Sequence, residues 1–248
     1  MPVYNGAQFV RAAVESVLDN GFSDMELVIV DDASTDDTVQ VIESIRHPAV
    51  RLVRQPENLG VAVTRRRGIE LLRGRHVALL DQDDIAVPGR FAAQIDALEQ
   101  VNGPDIVGGA VECFGDAATV LQFPLHDGEI RAGLLFFSLP LVNPAVCMKL
   151  EPFRQRRLEY SENAGPAADY ALWAVAMRAG LRFANLPQTV TRYRRHAASH
   201  SRQSQDWIVT KSAEVRREVV AMLFPQMSAA EQQALVDALT RLIGGGHR

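Results

Sequence analysis

Glu26-Leu27-Val28-Ile29-Val30 is an almost unbroken apolar run of strand length, and two carboxylates, Asp31 and Asp32, follow it directly. His76-Val77-Ala78-Leu79-Leu80 repeats the arrangement and ends in Asp81-Gln82-Asp83-Asp84. Short continuous apolar runs suit strands buried on both faces, the condition of strands in a parallel sheet. Helical spacing fills the chain around them: Phe9, Val10, Ala13, Val14, Val17 and Leu18 recur on one face, and Gly21 ends that helix. A turn at 34–37 opens a helix over 38–45, and Pro48 stops it. Residues 50–54 read as a strand, Asn58-Leu59-Gly60 as a turn, 61–72 as a helix closed by Gly74, and 88–100 as another before Gly103-Pro104. Strand and helix alternating over short connections predict an α/β fold: an open, mostly parallel, doubly wound sheet flanked by helices.

From residue 105 the pattern changes. Strands are predicted over 106–114, 120–123 and 186–193, and a helix over 169–179 capped by Gly180. The apolar stretch 132–148 is broken by Ser138, Pro140, Asn143 and Pro144, so it reads as a buried strand or helix plus a loop rather than a membrane span. After Ser204 the chain turns helical. Ser228-Ala229-Ala230-Glu231 has capping-box spacing and opens a last helix to Ile243, ended by Gly244-Gly245-Gly246. The expected organisation is a main domain over 1–203, with halves 1–100 and 101–203, and a helical extension over 204–248. Val215, Val219, Met222 and Leu223 in that extension read as a packing or homodimerisation surface.

Composition excludes several classes. With 47% hydrophobic and 23% charged residues over 248 positions, the chain buries a core and is not a disordered segment. A net charge of −4 carries no basic footprint, so nucleic acid is not an expected partner. Two cysteines, Cys113 and Cys147, make neither a disulfide framework nor a CxxC zinc cage, and are expected as small buried residues in a reducing compartment. The N-terminus lacks the basic and apolar regions of a signal peptide. The expected location is cytoplasmic, with peripheral contact at the inner face of the membrane left open.

Both acidic clusters follow strands, and open α/β sheets bind ligands beyond the carboxyl ends of their strands. Asp36 and Asp37 sit where a helix starts and are expected to cap it. Asp81, Asp83 and Asp84 are different, because three carboxylates within four residues repel one another. A hard divalent cation, Mn²⁺ or Mg²⁺, relieves the repulsion and shares its oxygen ligands with phosphates. Neither the Gly-x-Gly-x-x-Gly fingerprint nor the Gly-x-x-x-x-Gly-Lys-Ser/Thr loop is present, so phosphate is expected on metal and basic side chains.

In order along the chain, Pro2-Val3-Tyr4-Asn5, Val30-Asp31-Asp32-Ala33-Ser34-Thr35-Asp36, Asn58-Leu59-Gly60 with Thr64-Arg65, and Leu80-Asp81-Gln82-Asp83-Asp84 resemble the family-2 glycosyltransferases with a GT-A fold. A weaker likeness continues through Asn143-Pro144-Ala145-Val146, Ala168-Asp169-Tyr170-Ala171-Leu172-Trp173 and Tyr193-Arg194-Arg195-His196. The resemblance implies an inverting, metal-assisted transferase that moves a sugar from a nucleotide-diphosphate sugar, such as a UDP-sugar, to a glycan or lipid-linked acceptor. It implies that Pro2, Val3 and Tyr4 line the base and ribose pocket, and that Asp31, Asp32 and Arg65 lie on the nucleotide side. Asp81 and Gln82 would stand near ribose or donor sugar, Asp83 would ligate the metal directly, and Asp169 would be the acceptor-activating base; His196 is a candidate later ligand of the metal or the diphosphate. The sequence departs from the family at Ala168, where an acid is usual, and begins inside the family's first strand, which is expected to lower stability.

Other residues have blander readings. His196 belongs to an Arg- and His-rich loop over 192–201 that is also readable as plain surface, and Arg194 and Arg195 read equally as phosphate contacts or solvated surface. Trp173 and Leu172 read as core before acceptor platform. Two alternatives compete with the transferase: a nucleotide-sugar-binding protein without turnover, suggested by Ala168, and a response-regulator receiver, suggested by Val28-Ile29-Val30-Asp31-Asp32.

Overall fold

A computed structural model describes residues 1–116, 118–136, 140–196 and 205–244, with backbone alone at 136, 205–209 and 242–244. The apolar runs form strands where the sequence predicts them. β1 (Pro2–Val3), β2 (Leu27–Asp31) and β3 (Val50–Arg54) make a parallel sheet in that order. β2 is buried at every position because both of its faces are covered. Leu27 and Ile29 pack with Val10, Val14 and Val17 of α1 (Val10–Leu18) and Ile42 of α2 (Thr38–Glu43). Val30 lies under α3 (Val61–Leu71), where a Cβ on Gly68 would sit 3.7 Å from its Cγ2.

The second sheet has the order β4 (His76–Ala78), β8 (Cys147–Lys149), β6 (Ile106–Gly115), β9 (Phe183–Arg195), β5 (Ile85–Ala86), with β7 (Thr119–Leu121) also on β6. β6 and β9 are parallel over a long register. β8, β7 and β5 join antiparallel. The parallel layout read from the sequence therefore describes β1–β3 and the β6–β9 pair, and short antiparallel strands extend it. Those strands also remove the receiver alternative, whose doubly wound sheet is parallel.

Two helices escape the sequence reading, α5 (Asp127–Phe136) and α6 (Leu150–Gln155). The apolar stretch 132–148 joins the end of α5 to β8, so two different periodicities run together there. α5 buries Ile130 and Leu134, and its Asp127–Arg131 ion pair at 2.6 Å spans one turn. α7 (Ala168–Arg178) is buried nearly all round, with Tyr170, Leu172, Trp173 and Met177 in the main core. Trp173 is thus core and offers no platform to an acceptor. α8 (Gln205–Leu223) sends Val215 and Val219 into that same core, so these two residues are committed to their own chain rather than to a second copy. Ser228 and Glu231 form the expected capping box at the start of α9 (Ala229–Gly244), with Ser228 N donating to Glu231 Oε2 at 2.8 Å and Glu231 N to Ser228 Oγ at 3.4 Å. Positions 245 and 246 of the glycine terminator and 197–201 of the basic loop lie outside the described residues.

One buried cation ties the second sheet together. Arg90, at the start of α4 (Arg90–Glu99), is 2% exposed. Its Nε donates to Gln94 Oε1 at 2.9 Å, Nη1 to Thr191 Oγ1 at 2.8 Å, and Nη2 to the carbonyls of Leu79 at 2.9 Å and Val146 at 3.3 Å. Burial pulls its pKa down to about 10, which still leaves it charged at neutral pH. The guanidinium joins α4 to the chain after β4, to the residue before β8 and to β9. Arg90→Ala is expected to destabilise the fold by about 3–5 kcal/mol, because it strands several buried acceptors. Urea unfolding checks this against exposed Arg67→Ala, expected within about 0.5 kcal/mol of the parent. A loss below about 1 kcal/mol for Arg90→Ala would contradict the role given to it.

Candidate functional site

The carboxyl ends of β1, β2 and β4 meet at one edge, and most residues singled out in the sequence lie there. Several of them build the site instead of lining it. Val3 is buried in the core with Val10, Ile29 and Leu80, and its carbonyl accepts from Asp32 N at 2.9 Å. Its side chain therefore cannot line an open pocket, whereas Tyr4 beside it is exposed and Pro2 half-buried. Asp31 is fully buried and accepts from Ser34 N with both oxygens at 3.3 Å, shaping the turn after β2. Arg54 Nε stands 3.8 Å from it. Asp32 Oδ1 accepts from Gln55 Nε2 at 2.6 Å and Leu59 N at 2.8 Å, and Oδ2 from Gly60 N at 2.9 Å. Asp32 is 3% exposed, and these three bonds tie it to the loop before α3.

Gln82 acts as a clamp. Its Oε1 accepts from Tyr4 N at 2.8 Å and its Nε2 donates to Tyr4 O at 3.0 Å. The side-chain amide thereby stands in for a strand partner and joins β1 to the loop after β4. Asp36 takes the capping role read for it: it accepts from Thr38 N at 3.0 Å and Ala7 N at 3.1 Å. Burial works against its charged form, and these bonds outweigh burial and hold its carboxyl below the usual range. Asp37 occupies the N-cap position of α2 without a side-chain cap bond.

The Asp81–Asp84 loop receives a separate partner for each carboxylate. Arg65 Nη2 from α3 donates to Asp81 Oδ1 at 2.7 Å and Oδ2 at 2.9 Å. His196 Nε2, just past β9, stands 2.9 Å from Asp83 Oδ2. Arg194 N donates to Asp84 Oδ1 at 2.8 Å, while Asp84 Oδ2 is buried with no hydrogen-bond partner among the described residues. Burial, then Asp81 and Asp83, push the Asp84 carboxyl well above its usual range. Burial and Asp81 also raise Asp83, against the pull of His196. Arg194 is not free surface: its guanidinium lies 4.3 Å from the Phe114 ring and 4.8 Å from the Phe9 ring, with Nε donating to Asp83 O at 2.9 Å. Phe9 also meets the His196 ring at 5.0 Å. The sequence reading did not foresee this stack, whose rings come from positions 9, 114 and 196.

Asp169 opens the first turn of α7, half-buried, with Oδ1 accepting from Tyr170 N at 2.8 Å. Burial raises its pKa, Arg65 pulls it back down, and Asp81 adds to the rise. Arg65 is thus the cation shared by the loop after β4 and the start of α7. Ala168, where the family pattern has an acid, is 2% exposed and packs in the main core.

No cluster of three or more ligating side chains converges on a point among the described residues. The Asp83–His196 pair offers one carboxylate oxygen and one imidazole nitrogen. That set suits Mn²⁺ or Mg²⁺ when phosphate oxygens and water complete the shell. The Gln82 clamp has a direct test. A Cβ on Gly6 would fall on the Gln82 amide. Gly6→Ala is therefore expected to cost about 1–3 kcal/mol alone and much less in a Gln82→Ala background. Additive costs in thermal unfolding of the two singles and the double would count against the clamp.

Comparison with known proteins gives the family of the chain. The description "Glycosyl transferase family 2" matches residues 1–156. Succinoglycan biosynthesis protein ExoO of Rhizobium meliloti is 31% identical over 216 residues, covering 80% of this chain and 60% of that protein. An uncharacterized glycosyltransferase of Haemophilus influenzae is 24% identical over 206 residues, covering 78% and 63%. The Escherichia coli protein WfaP, named as a UDP-Glc:alpha-D-GlcNAc-diphosphoundecaprenol beta-1,3-glucosyltransferase, is 26% identical over 199 residues, covering 80% and 76%. The chain thus spans about three-fifths of the length of the first two relatives. S. aureus TarS in complex with UDP-GlcNAc superposes with a TM-score of 0.75 at 16% identity, over 96% of this chain and 69% of that one. Mannosyltransferase PcManGT from Pyrobaculum calidifontis, in complex with GDP-Man and Mn²⁺, superposes with a TM-score of 0.63 at 18% identity, over 97% and 68%. These two share the GT-A fold. With well over half of its length matched, the chain belongs to glycosyl transferase family 2.

Proposed function

We propose that the chain catalyses metal-assisted, inverting transfer of a sugar from a nucleotide-diphosphate sugar, a UDP-sugar, to an acceptor hydroxyl on a glycan or lipid-linked glycan. The observation that carries this reading is the arrangement at one edge of the sheets. The Asp83–His196 pair stands beside Asp81, and Arg65 links Asp81 electrostatically to Asp169. One end can hold a diphosphate through a cation, and the other can receive a proton. The UDP-GlcNAc bound to TarS and the UDP-Glc in the name of WfaP support a uridine donor. The names of ExoO and WfaP support a place in polysaccharide assembly, at the cell surface. Among the described residues no helix is long and apolar enough to cross a membrane. A cytoplasmic enzyme working at the inner membrane face fits this reading.

The chemistry follows from the residues. Asp169 takes the proton of the acceptor hydroxyl as that oxygen bonds to the anomeric carbon. The bond from that carbon to the diphosphate oxygen breaks on the opposite side, so the configuration inverts. Tyr4 stands at the base end beside the buried Asp32, and Arg65 fixes Asp81 close to the sugar. When bound at Asp83 and His196, a divalent cation supplies charge neutralisation for the leaving diphosphate.

Two substitutions separate binding from chemistry. Asp83→Asn is expected to abolish the Mn²⁺-dependent part of UDP binding in calorimetry. Asp169→Asn is expected to keep that binding and lose turnover by about 10²–10⁴-fold. Tight UDP binding by the parent with no turnover of any donor would favour the non-catalytic alternative. Unchanged turnover in Asp83→Asn would overturn the metal role of that residue.

A further inference from the structure

Behind Arg65 lies a buried pair that none of the roles above uses. Asn143 is 3% exposed and Tyr160 fully buried. One atom of the Asn143 amide stands 2.7 Å from Tyr160 Oη, and the other stands 3.2 Å from both Nη2 and Nε of Arg65. Arginine offers only donors, so the atom facing it must be the amide oxygen. Asn143 Oδ1 then accepts from Arg65, and Nδ2 donates to Tyr160 Oη. The Arg65 guanidinium also lies 5.7 Å from the Tyr160 ring centroid. Arg65 is therefore gripped from two sides, by Asp81 after β4 and by Asn143 and Tyr160 from the second half of the chain.

We propose that Asn143 and Tyr160 are positioning residues that fix the Arg65 guanidinium against Asp81, within electrostatic reach of Asp169, and so keep Asp169 available as a proton acceptor. The inference rests on the base role given to Asp169 above. Asp81 alone would draw Arg65 toward the metal loop, and the second grip opposes that pull. Three groups from packed elements act on Asp169: Arg65 of α3, Asp81 after β4, and Tyr160 through their mutual electrostatic coupling. Arg65 favours the charged carboxylate, whereas burial and Asp81 oppose it. Burial also raises the Tyr160 pKa far above neutrality, so its hydroxyl remains a neutral partner throughout the working range.

The sign of the effect follows. Loosening Arg65 removes a stabiliser of ionised Asp169, so its pKa rises and the acidic limb of turnover moves to higher pH. The test is a ¹³C-carboxyl NMR titration of Asp169, assigned by its loss in Asp169→Asn, in the parent, Tyr160→Phe and Asn143→Ala. The midpoint is expected to rise by about half a pH unit or more in both variants. The acidic limb of kcat is expected to move with it. A purely structural role predicts lower stability with an unmoved midpoint, and that result would overturn the proposal. Tyr160→Phe removes a single oxygen and keeps the test available if Asn143→Ala does not fold. Titration needs no turnover, so an unmoved midpoint overturns this proposal alone, whereas a parent that binds no nucleotide overturns the transferase reading on which it rests.

Discussion

Three carboxyl groups crowded into four residues after β4 must be kept from repelling one another, and the site is organised around the groups that do so. At an effective dielectric near 20, like charges about 5 Å apart repel by roughly 3 kcal/mol. Each carboxyl here meets a different partner. Arg65 reaches Asp81 from α3, and His196 reaches Asp83 from beyond β9. A main-chain N–H of β9 meets Asp84, with buried Arg90 of α4 acting on it at longer range. One short loop thereby fixes the relative positions of α3, α4 and the end of β9. Among these partnerships, Asp83 with His196 is the one that a divalent cation can replace without leaving a buried charge behind.

The same economy runs through the nucleotide edge. Asp31 ends a fully buried strand and Asp32 follows it, so their carboxylates are drawn into main-chain hydrogen bonds that shape the turns around them. Gln82 sits between two acidic neighbours and spends both amide atoms on Tyr4. Among the described residues at this edge, Tyr4 is exposed, and Asp83, His196 and Asp169 are half-buried. A site of this kind is precise because the residues around it are already satisfied by one another.

Most of the first hundred residues was legible from sequence because β2 and β4 lie in apolar runs and the helices keep a clean period; β5, two residues long, carries no period and was missed. The position of the acidic clusters followed from the same pattern, since a carboxylate directly after a buried strand can only emerge at its end. The stretch from α5 to β8 was not legible. There a helix and a strand share one apolar stretch, and Pro140 and Pro144 punctuate it without marking where the period changes. Asn143 and Tyr160 were missed for a related reason: their significance lies in a contact with Arg65, far away in sequence, and neither sits on a periodic face. The side chains of Gln82 and Asp32, read from sequence as ligand-facing, bond protein groups instead, and only the fold could show that.

The claim on which this account depends is that Asp83 and His196 form the cation-binding end of the site. Anomalous diffraction at the manganese edge, from crystals grown with UDP and Mn²⁺, measures it directly. A single strong peak is expected about 2.0–2.3 Å from Asp83, near the His196 ring, with the diphosphate completing the shell. A peak held by Asp31, Asp32 or Asp81 instead, or nucleotide bound without any peak, would contradict it.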